Sequence, residues 1–105
     1  MKNLKRFGKT QETKLHLGCF YQKIHGFTNV DIREDINPDL VDDVFKLKNI
    51  KQGSVDLIYT CHVLEHADRQ EAKDAMKRWH EILKKGGTLR VSVPCLLYTS
   101  DAADE

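Results

Sequence analysis

Residues 14–31 read KLHLGCFYQKIHGFTNVD, and this stretch decides the fold. A short run with apolar residues, Lys14–Leu17, predicts a β-strand that ends at Gly18. A second short strand, predicted at Asn29–Ile32, carries the carboxylate of Asp31. A glycine at the end of one strand, followed by an acid at the end of the next, is typical of α/β proteins that bind a ribose.

The connection between these two strands is short. The ten residues Cys19–Thr28 join them, which is near the lower limit for two parallel strands. A dinucleotide site places the pyrophosphate at a helix amino terminus after the glycine turn, and its acid follows about 20 residues later. Here Asp31 follows Gly18 by 13 residues, and little room is left for a helix. The spacing therefore favours a nucleoside without phosphate, such as S-adenosylmethionine, over NAD.

The rest of the chain supplies the remaining strands of an α/β sheet. A short third strand is predicted at Leu40–Val44, and a buried fourth strand, rich in β-formers, at Val55–Thr60. A helix is predicted over Arg69–Lys84, because a capping box precedes a continuous apolar face at helical spacing. Thr88–Val93 is predicted as a fifth strand, joined to the fourth by a right-handed parallel crossover.

Composition and charge narrow the class of protein. With 105 residues, 31% of them charged, and a net charge of +1, the chain is expected to form one small globular domain. No basic stripe supports nucleic-acid binding, and no apolar stretch approaches the length of a membrane span. The basic start lacks the apolar run of a signal peptide. Three cysteines without C-x-x-C spacing indicate reduced thiols and hence a cytoplasmic protein.

Both ends of the chain are expected to lie outside the domain. Residues 1–13 are polar and are predicted to form an amino-terminal arm. The last eleven residues, CLLYTSDAADE at 95–105, resemble the translation of a sequencing-library adapter. We therefore expect the natural sequence to stop at Pro94, and residues 95–105 are left out of the fold prediction.

Five segments, in order, give the chain a resemblance to a known family: KLHLGC at 14–19, GFTNVDI at 26–32, DDV at 42–44, SVDLIYTCHVLEH at 54–66 and LKKGGTLRVSVP at 83–94. Residues 14–94 resemble the amino-terminal part of class I S-adenosylmethionine-dependent methyltransferases, closest to short bacterial members. The resemblance implies an α/β fold of three layers, Rossmann-like, with a mostly parallel sheet that is truncated after strand five. The family's later strands, including an antiparallel pair, would be missing, so that an edge of the sheet is exposed.

The same resemblance implies a binding site for S-adenosylmethionine. Gly18 and the backbone around it would approach the methionine end, and Asp31 would accept hydrogen bonds from the ribose hydroxyls. Ile32 would pack against the adenine, and Asp43 would receive the adenine amino group. The residues implied to contact the cofactor are Gly18, Cys19, Phe20, Asp31, Ile32, Asp43, Val44, Cys61 and His62.

Phe20 departs from the family pattern, which usually has glycine at this position. Glycine tolerates a positive φ and lets the backbone approach a ligand, whereas a phenylalanine with positive φ is strained. The ring could point away from the cofactor or stack near it, and an inactive pocket is an alternative. We expect cofactor binding to be retained.

The implied reaction is methyl transfer from S-adenosylmethionine to a small-molecule or saccharide acceptor. The acceptor stays unidentified, because in such enzymes it is usually bound by segments beyond the fifth strand. A base is required only when the acceptor is an oxygen or a protonated amine. His62 and His66 are the candidates for that base.

Two other functions remain open. His62–His66, HVLEH, fits the H-x-x-E-H pattern of zinc hydrolases. That chemistry needs both histidines on one face of a helix, together with a further metal ligand. No further ligand is evident in the sequence, so no metal site is predicted. The other alternative is a non-catalytic nucleoside-binding module, which the departure at Phe20 favours.

Overall fold

A computed structural model describes residues 12–93 and 96–101 of the chain. The α-helix α1 spans Arg69–Ile82, and two 3-10 turns lie at Glu34–Ile36 and Leu64–His66. The strands are β1 (Lys14–Leu17), β2 (Thr28–Asp31), β3 (Leu40–Val41), β4 (Val55–Cys61), β5 (Leu83–Val93) and β6 (Leu96–Asp101). All five strands predicted from the sequence are present, and so is the helix.

The strands form a mixed sheet with the order β3-β2-β1-β4-β5-β6, in which β1 to β5 are parallel. The chain winds from β1 outward to β3 and then returns to place β4 on the other side of β1. The carboxyl ends of β1 and β4 are therefore adjacent, where the winding reverses. Ligands of open parallel sheets bind at such a reversal, outside the carboxyl ends of the strands.

The core lies between the sheet and α1. Leu15 and Leu17 of β1 and Ile58 of β4 point to the same face of the sheet, because alternate residues of a strand share a face. They form one buried cluster with Trp79 and Ile82 of α1. Within the described residues, the helical layer lies on this face.

Helix α1 begins as predicted and ends two residues early. Asp68 accepts a hydrogen bond from the Glu71 amide, and the Glu71 side chain accepts one from the Asp68 amide, which completes the capping box. The helix ends at Ile82, because Leu83 is extended and already pairs with Val55. The prediction that the helix ends at residue 84 was therefore wrong, because β5 starts earlier than the sequence predicted.

The third strand is shorter than predicted, with two residues instead of five. The side chain of Asp42 accepts a hydrogen bond from the Asp43 amide at 2.8 Å, and Asp43 accepts one from the Phe45 amide at 2.9 Å. Such local side-chain hydrogen bonds compete with strand pairing and turn the chain. The pair of acids therefore ends β3 at Val41.

The far edge of the sheet differs from the expectation. Residues 96–101 form β6, which pairs antiparallel with residues 88–93 of β5. A strand edge presents unpaired backbone donors and acceptors, and a following segment of suitable length satisfies them. The edge of β5 that the sequence predicted to be exposed is therefore paired. The parallel part of the sheet ends at β5, as predicted.

The predicted arm, residues 1–13, falls almost wholly outside the described residues. At its end, the Thr13 amide donates to the Asp56 carboxylate at 2.7 Å, and the Thr13 carbonyl accepts from the Asp56 amide at 2.8 Å. None of the helices in the described part of the chain has the length and apolarity to cross a membrane.

Candidate functional site

A cavity of about 530 Å³ opens at the carboxyl ends of β1, β2 and β4. Its volume is in the range typical of small-molecule sites. Seven of the nine predicted contact residues line it: Gly18, Cys19, Phe20, Asp31, Val44, Cys61 and His62. The candidate base His66 lines it as well, together with four residues that the sequence did not indicate: His16, Gln22, Phe45 and Val63. The cavity therefore lies where the winding of the sheet reverses.

Gly18 brings the turn after β1 close to the segment after β4. Its φ is +68°, a conformation that favours glycine. A Cβ atom at this position would lie 2.5 Å from Cγ2 of Val63. The Gly18 amide donates to the Val30 carbonyl at 2.8 Å, which ties the turn to β2. A side chain at residue 18 is therefore disfavoured both by the backbone conformation and by the space available.

Asp31 ends β2 with a buried carboxylate, 8% exposed, at the wall of the cavity. Oδ2 accepts a hydrogen bond from the Phe20 amide at 2.9 Å, and Oδ1 accepts one from the Arg33 amide at 3.0 Å. A carboxylate has about four acceptor positions, so each oxygen keeps capacity for a further donor. The carboxylate is thus held in place while it still has room for ligand hydroxyls.

Phe20 has a φ of +50°, the left-handed conformation that is strained for a phenylalanine. Its amide is held by Asp31, and its side chain is about half exposed, at 49%. The residue lines the cavity.

Two predicted contact residues do not line the cavity. Ile32 is 60% exposed on the surface beyond β2. The Asp43 carboxylate accepts the Phe45 amide and so serves the turn after β3, while its neighbour Val44 lines the cavity. Their roles toward adenine remain predictions.

His16 of β1 is a site residue that sequence reasoning interpreted only as a strand residue. Its Nδ1 lies 2.9 Å from Oδ1 of Asn29. The Asn29 amide nitrogen donates to backbone carbonyls and to Asp39, and its oxygen accepts the Ile24 amide. The oxygen can therefore only accept from His16, so Nδ1 carries the proton. The ring stacks on Tyr59, with centroids 5.5 Å apart.

The position of His16 within β1 would have indicated that it lies at the site. It alternates with Leu15 and Leu17, which face the core, so it faces the other side of the sheet. It also lies two residues before the glycine turn. A polar residue on that face, so close to the carboxyl end of a strand, is placed to reach a site there.

The charge of the cavity wall is low and negative. Among the described residues that line it, Asp31 is the one carboxylate, and no lysine or arginine is present. Burial, together with the nearby charge of Asp31, raises the pKa of the Cys19 thiol, which therefore stays protonated near neutral pH. A phosphate finds no lysine or arginine partner in such a wall, whereas a neutral or cationic ligand is compatible with it.

The connection from β1 to β2 contains no helix within the described residues. A helix amino terminus, the usual binding element for a pyrophosphate, is therefore absent after Gly18. This observation confirms the expectation from the ten-residue spacing.

The H-x-x-E-H segment does not form the helix that zinc-hydrolase chemistry needs. Leu64–His66 is a 3-10 turn. The Glu65 carboxylate lies 3.3 Å from Nδ1 of His62 and 4.0 Å from Nε2 of His66. Over residues 12–93 and 96–101, no group of three or more His, Cys, Asp or Glu side chains is arranged to hold a metal ion. Both histidines are instead exposed at the cavity rim, around a shared carboxylate.

Residues 22–91 match the family described as Methyltransferase domain. The chain belongs to this family. The match covers most of the sheet and all of α1. It confirms the resemblance to class I S-adenosylmethionine-dependent methyltransferases. No curated protein matches the methyltransferase domain closely enough to be compared with it.

Solved structures share the fold of this methyltransferase domain at low sequence identity. A protein from Pyrococcus horikoshii OT3 superposes with a TM-score of 0.68 at 21% identity, over 85% of this chain and 52% of that one. An S-adenosylmethionine-dependent methyltransferase from Mesorhizobium loti gives 0.58 at 18% identity, over 82% and 49%. Phosphoethanolamine N-methyltransferase 2 from Haemonchus contortus, in complex with S-adenosyl-L-methionine, gives 0.59 at 16% identity, over 83% and 26%.

These likenesses confirm the Rossmann-like α/β fold that the sequence predicted. The methyltransferase domain spans about half the length of the first two structures.

Proposed function

We propose that this chain binds S-adenosylmethionine in the cavity between β1 and β4 and takes part in methyl transfer to a small-molecule or saccharide acceptor. The observation that carries the proposal is the buried Asp31 carboxylate, placed at the end of β2 and beside the reversal of the sheet. Ribose hydroxyls bind to an acid at this place in related α/β sheets.

The residues of the cavity fit this cofactor. The tight turn at Gly18 brings backbone close to the ligand space, and Asp31 keeps acceptor capacity for hydroxyl donors. The wall holds no lysine or arginine among its described residues, which suits a cofactor that has a sulfonium and an ammonium group and no phosphate. Val44 and Phe45 supply apolar surface for a nucleobase.

When bound, S-adenosylmethionine supplies a methyl group whose bond to sulfur breaks, with the electron pair remaining on sulfur, as the acceptor's lone pair attacks. The chain's contribution is to align the two reactants in a cavity, which supplies much of the acceleration. If the acceptor loses a proton, His62 and His66 lie at the rim to take it. Glu65 orients His62 from 3.3 Å.

Binding of S-adenosylhomocysteine, measured by titration calorimetry, tests the proposal. We expect one molecule to bind per chain, and Asp31→Ala to weaken binding about 100-fold, because two charge-assisted hydrogen bonds are lost. Asp31→Asn keeps the side-chain volume and guards against a folding defect, which circular dichroism monitors. Glu34→Ala, at an exposed acid three residues away, is the control.

Absence of binding to the wild-type chain would contradict the proposed cofactor. Equal affinity in the wild-type chain and in folded Asp31→Ala would contradict the role of the carboxylate.

A nucleoside-binding module without catalysis is the second candidate. The observation that favours it is Phe20, which takes the left-handed conformation at a position where the family usually has glycine. Methyl transfer from labelled S-adenosylmethionine to a panel of amines, phenols and saccharides distinguishes the two functions. Binding without transfer to any acceptor would favour the module.

A further inference from the structure

The exposed apolar side chains of the described residues are concentrated beside the Asp31 carboxylate. Four large apolar side chains are exposed there: Phe20, Tyr21, Ile32 and Val41. Phe20 donates its amide to the carboxylate, and Tyr21 and Ile32 are the chain neighbours of Phe20 and of Asp31. Of these four residues, only Phe20 lines the cavity, so it joins the cavity to this exposed apolar surface, and such surface often marks a binding site.

The two aromatic rings are held in a defined arrangement. The rings of Phe20 and Tyr21 meet edge to face, with centroids 4.5 Å apart. The Arg33 guanidinium lies 5.0 Å from the Phe20 centroid and 5.9 Å from the Tyr21 centroid. Asp35 holds that guanidinium through two hydrogen bonds, at 2.7 and 3.2 Å. Such cation–π and edge-to-face contacts orient the rings and leave much of their surface free.

The backbone at Phe20 favours a ligand role for its ring. A non-glycine residue in the left-handed region is strained, and strain of this kind persists where surrounding contacts enforce it, often at binding sites. Here the enforcing contact is the hydrogen bond from the Phe20 amide to Asp31. The same contact fixes the backbone of Phe20 relative to the carboxylate.

We propose that Phe20, with Tyr21 and under Arg33, forms a stacking platform for the base of the nucleoside whose ribose Asp31 binds. This inference rests on the proposed function, because it assumes a nucleoside ligand. A base attached to a ribose at Asp31 lies within reach of the ring that is anchored to the same carboxylate, and aromatic rings bind bases through their π faces. The Phe20 ring thereby adds a contact that glycine at residue 20 would lack.

The variants Phe20→Ala and Phe20→Gly separate the ring from the strain. Both remove the ring, and only glycine also removes the penalty of the positive φ. We expect both variants to bind S-adenosylhomocysteine and adenosine about tenfold more weakly than the wild-type chain, since the stacking contact between the ring and the base is lost. We expect Phe20→Gly to unfold at a higher temperature than Phe20→Ala without ligand. Asn37→Gly, at another left-handed residue outside the cavity, is the control and should bind as the wild type does.

Each outcome of the calorimetric titrations has a defined meaning. Unchanged or tighter binding in both Phe20 variants, with normal binding by the wild type, overturns the platform and leaves the proposed function intact. Weaker binding of S-adenosylhomocysteine with unchanged binding of adenosine places the ring against the amino-acid half and also overturns it. A wild-type chain that binds neither probe overturns the proposed function and the platform together.

Discussion

Gly18 combines two requirements in one residue. Its φ of +68° disfavours any side chain, and an added Cβ would lie 2.5 Å from Cγ2 of Val63. Gly53 has the same φ of +68°, but nothing lies within 4 Å of the Cβ it would carry. The two glycines therefore separate the cost of the backbone conformation from the cost of the contact.

We expect Gly53→Ala to lower the free energy of unfolding by about 1 kcal/mol, the cost of a left-handed residue with a side chain. Gly18→Ala should lower it by about 3 kcal/mol, because the forced shift of Val63 is added to the same backbone cost. Urea unfolding of both variants measures the difference. Equal losses of stability would show that the segment after β4 yields freely and that the tight packing at Gly18 is unimportant.

At the scale of elements, α1 supports the site without lining it. Residues 42–54 connect β3 to β4 with no strand or helix. Arg78 of α1 donates to the carbonyls of Lys46, Leu47 and Ile50, at 3.1, 3.0 and 2.8 Å. Trp79 donates from Nε1 to the Val44 carbonyl at 2.8 Å. The helix thus holds the segment whose residues 44 and 45 form one wall of the cavity.

We expect Arg78→Lys to lower the free energy of unfolding by about 2 kcal/mol, because an ammonium cannot reproduce the guanidinium fork and leaves carbonyls unpaired. Hydrogen exchange at the Leu47 amide should become faster. Arg69→Lys makes the same change at the exposed first residue of the helix and should leave both quantities unchanged. Equal behaviour of the two variants would contradict the role assigned to Arg78.

At the scale of the whole molecule, carboxylates connect segments that are distant in sequence. Hydrogen bonds from the Asn29 backbone and side-chain amides lower the pKa of Asp39, which ties β2 to the turn before β3. A hydrogen bond from the Thr13 amide and, to a smaller extent, one from Lys84 lower the pKa of Asp56. The hydrogen bond from Thr13 ties the start of the described chain to β4. Protonation of these two carboxylates is therefore expected to weaken the hydrogen bonds that hold these segments together.

A carboxyl with a lower pKa in the folded state stabilises that state above its unfolded pKa of about 4, and the stabilisation is lost as the pH falls through the folded pKa. We therefore expect the free energy of unfolding to fall below about pH 4. Asp39→Asn should reduce stability at pH 7, and its difference from the wild type should shrink toward pH 2. Asp74→Asn, on exposed helix surface, is the control for urea unfolding across this range. A pH-independent effect of Asp39→Asn would contradict the linkage.

The sequence by itself determined the elements that depend on near neighbours. Strand β1 and its glycine turn, the buried strand β4 and the capped start of α1 were predicted because apolar periodicity, β-propensity and capping act over a few residues. The place of Asp31 at the end of β2 followed from the same local pattern. The short connection between β1 and β2 also predicted that no helix follows Gly18, since ten residues leave little room for one.

Only the tertiary structure decided which side chains meet across the sheet. Pairing of His16 with Asn29 depends on the parallel register of β1 and β2, which no local pattern reveals. The tautomer of His16 follows from that pairing. Likewise, Asp43 serves a turn and Val44 the cavity because hydrogen bonds end β3 after two residues. The pairing of β6 with β5 is likewise a tertiary feature, because it satisfies backbone groups along an otherwise unpaired edge of the sheet.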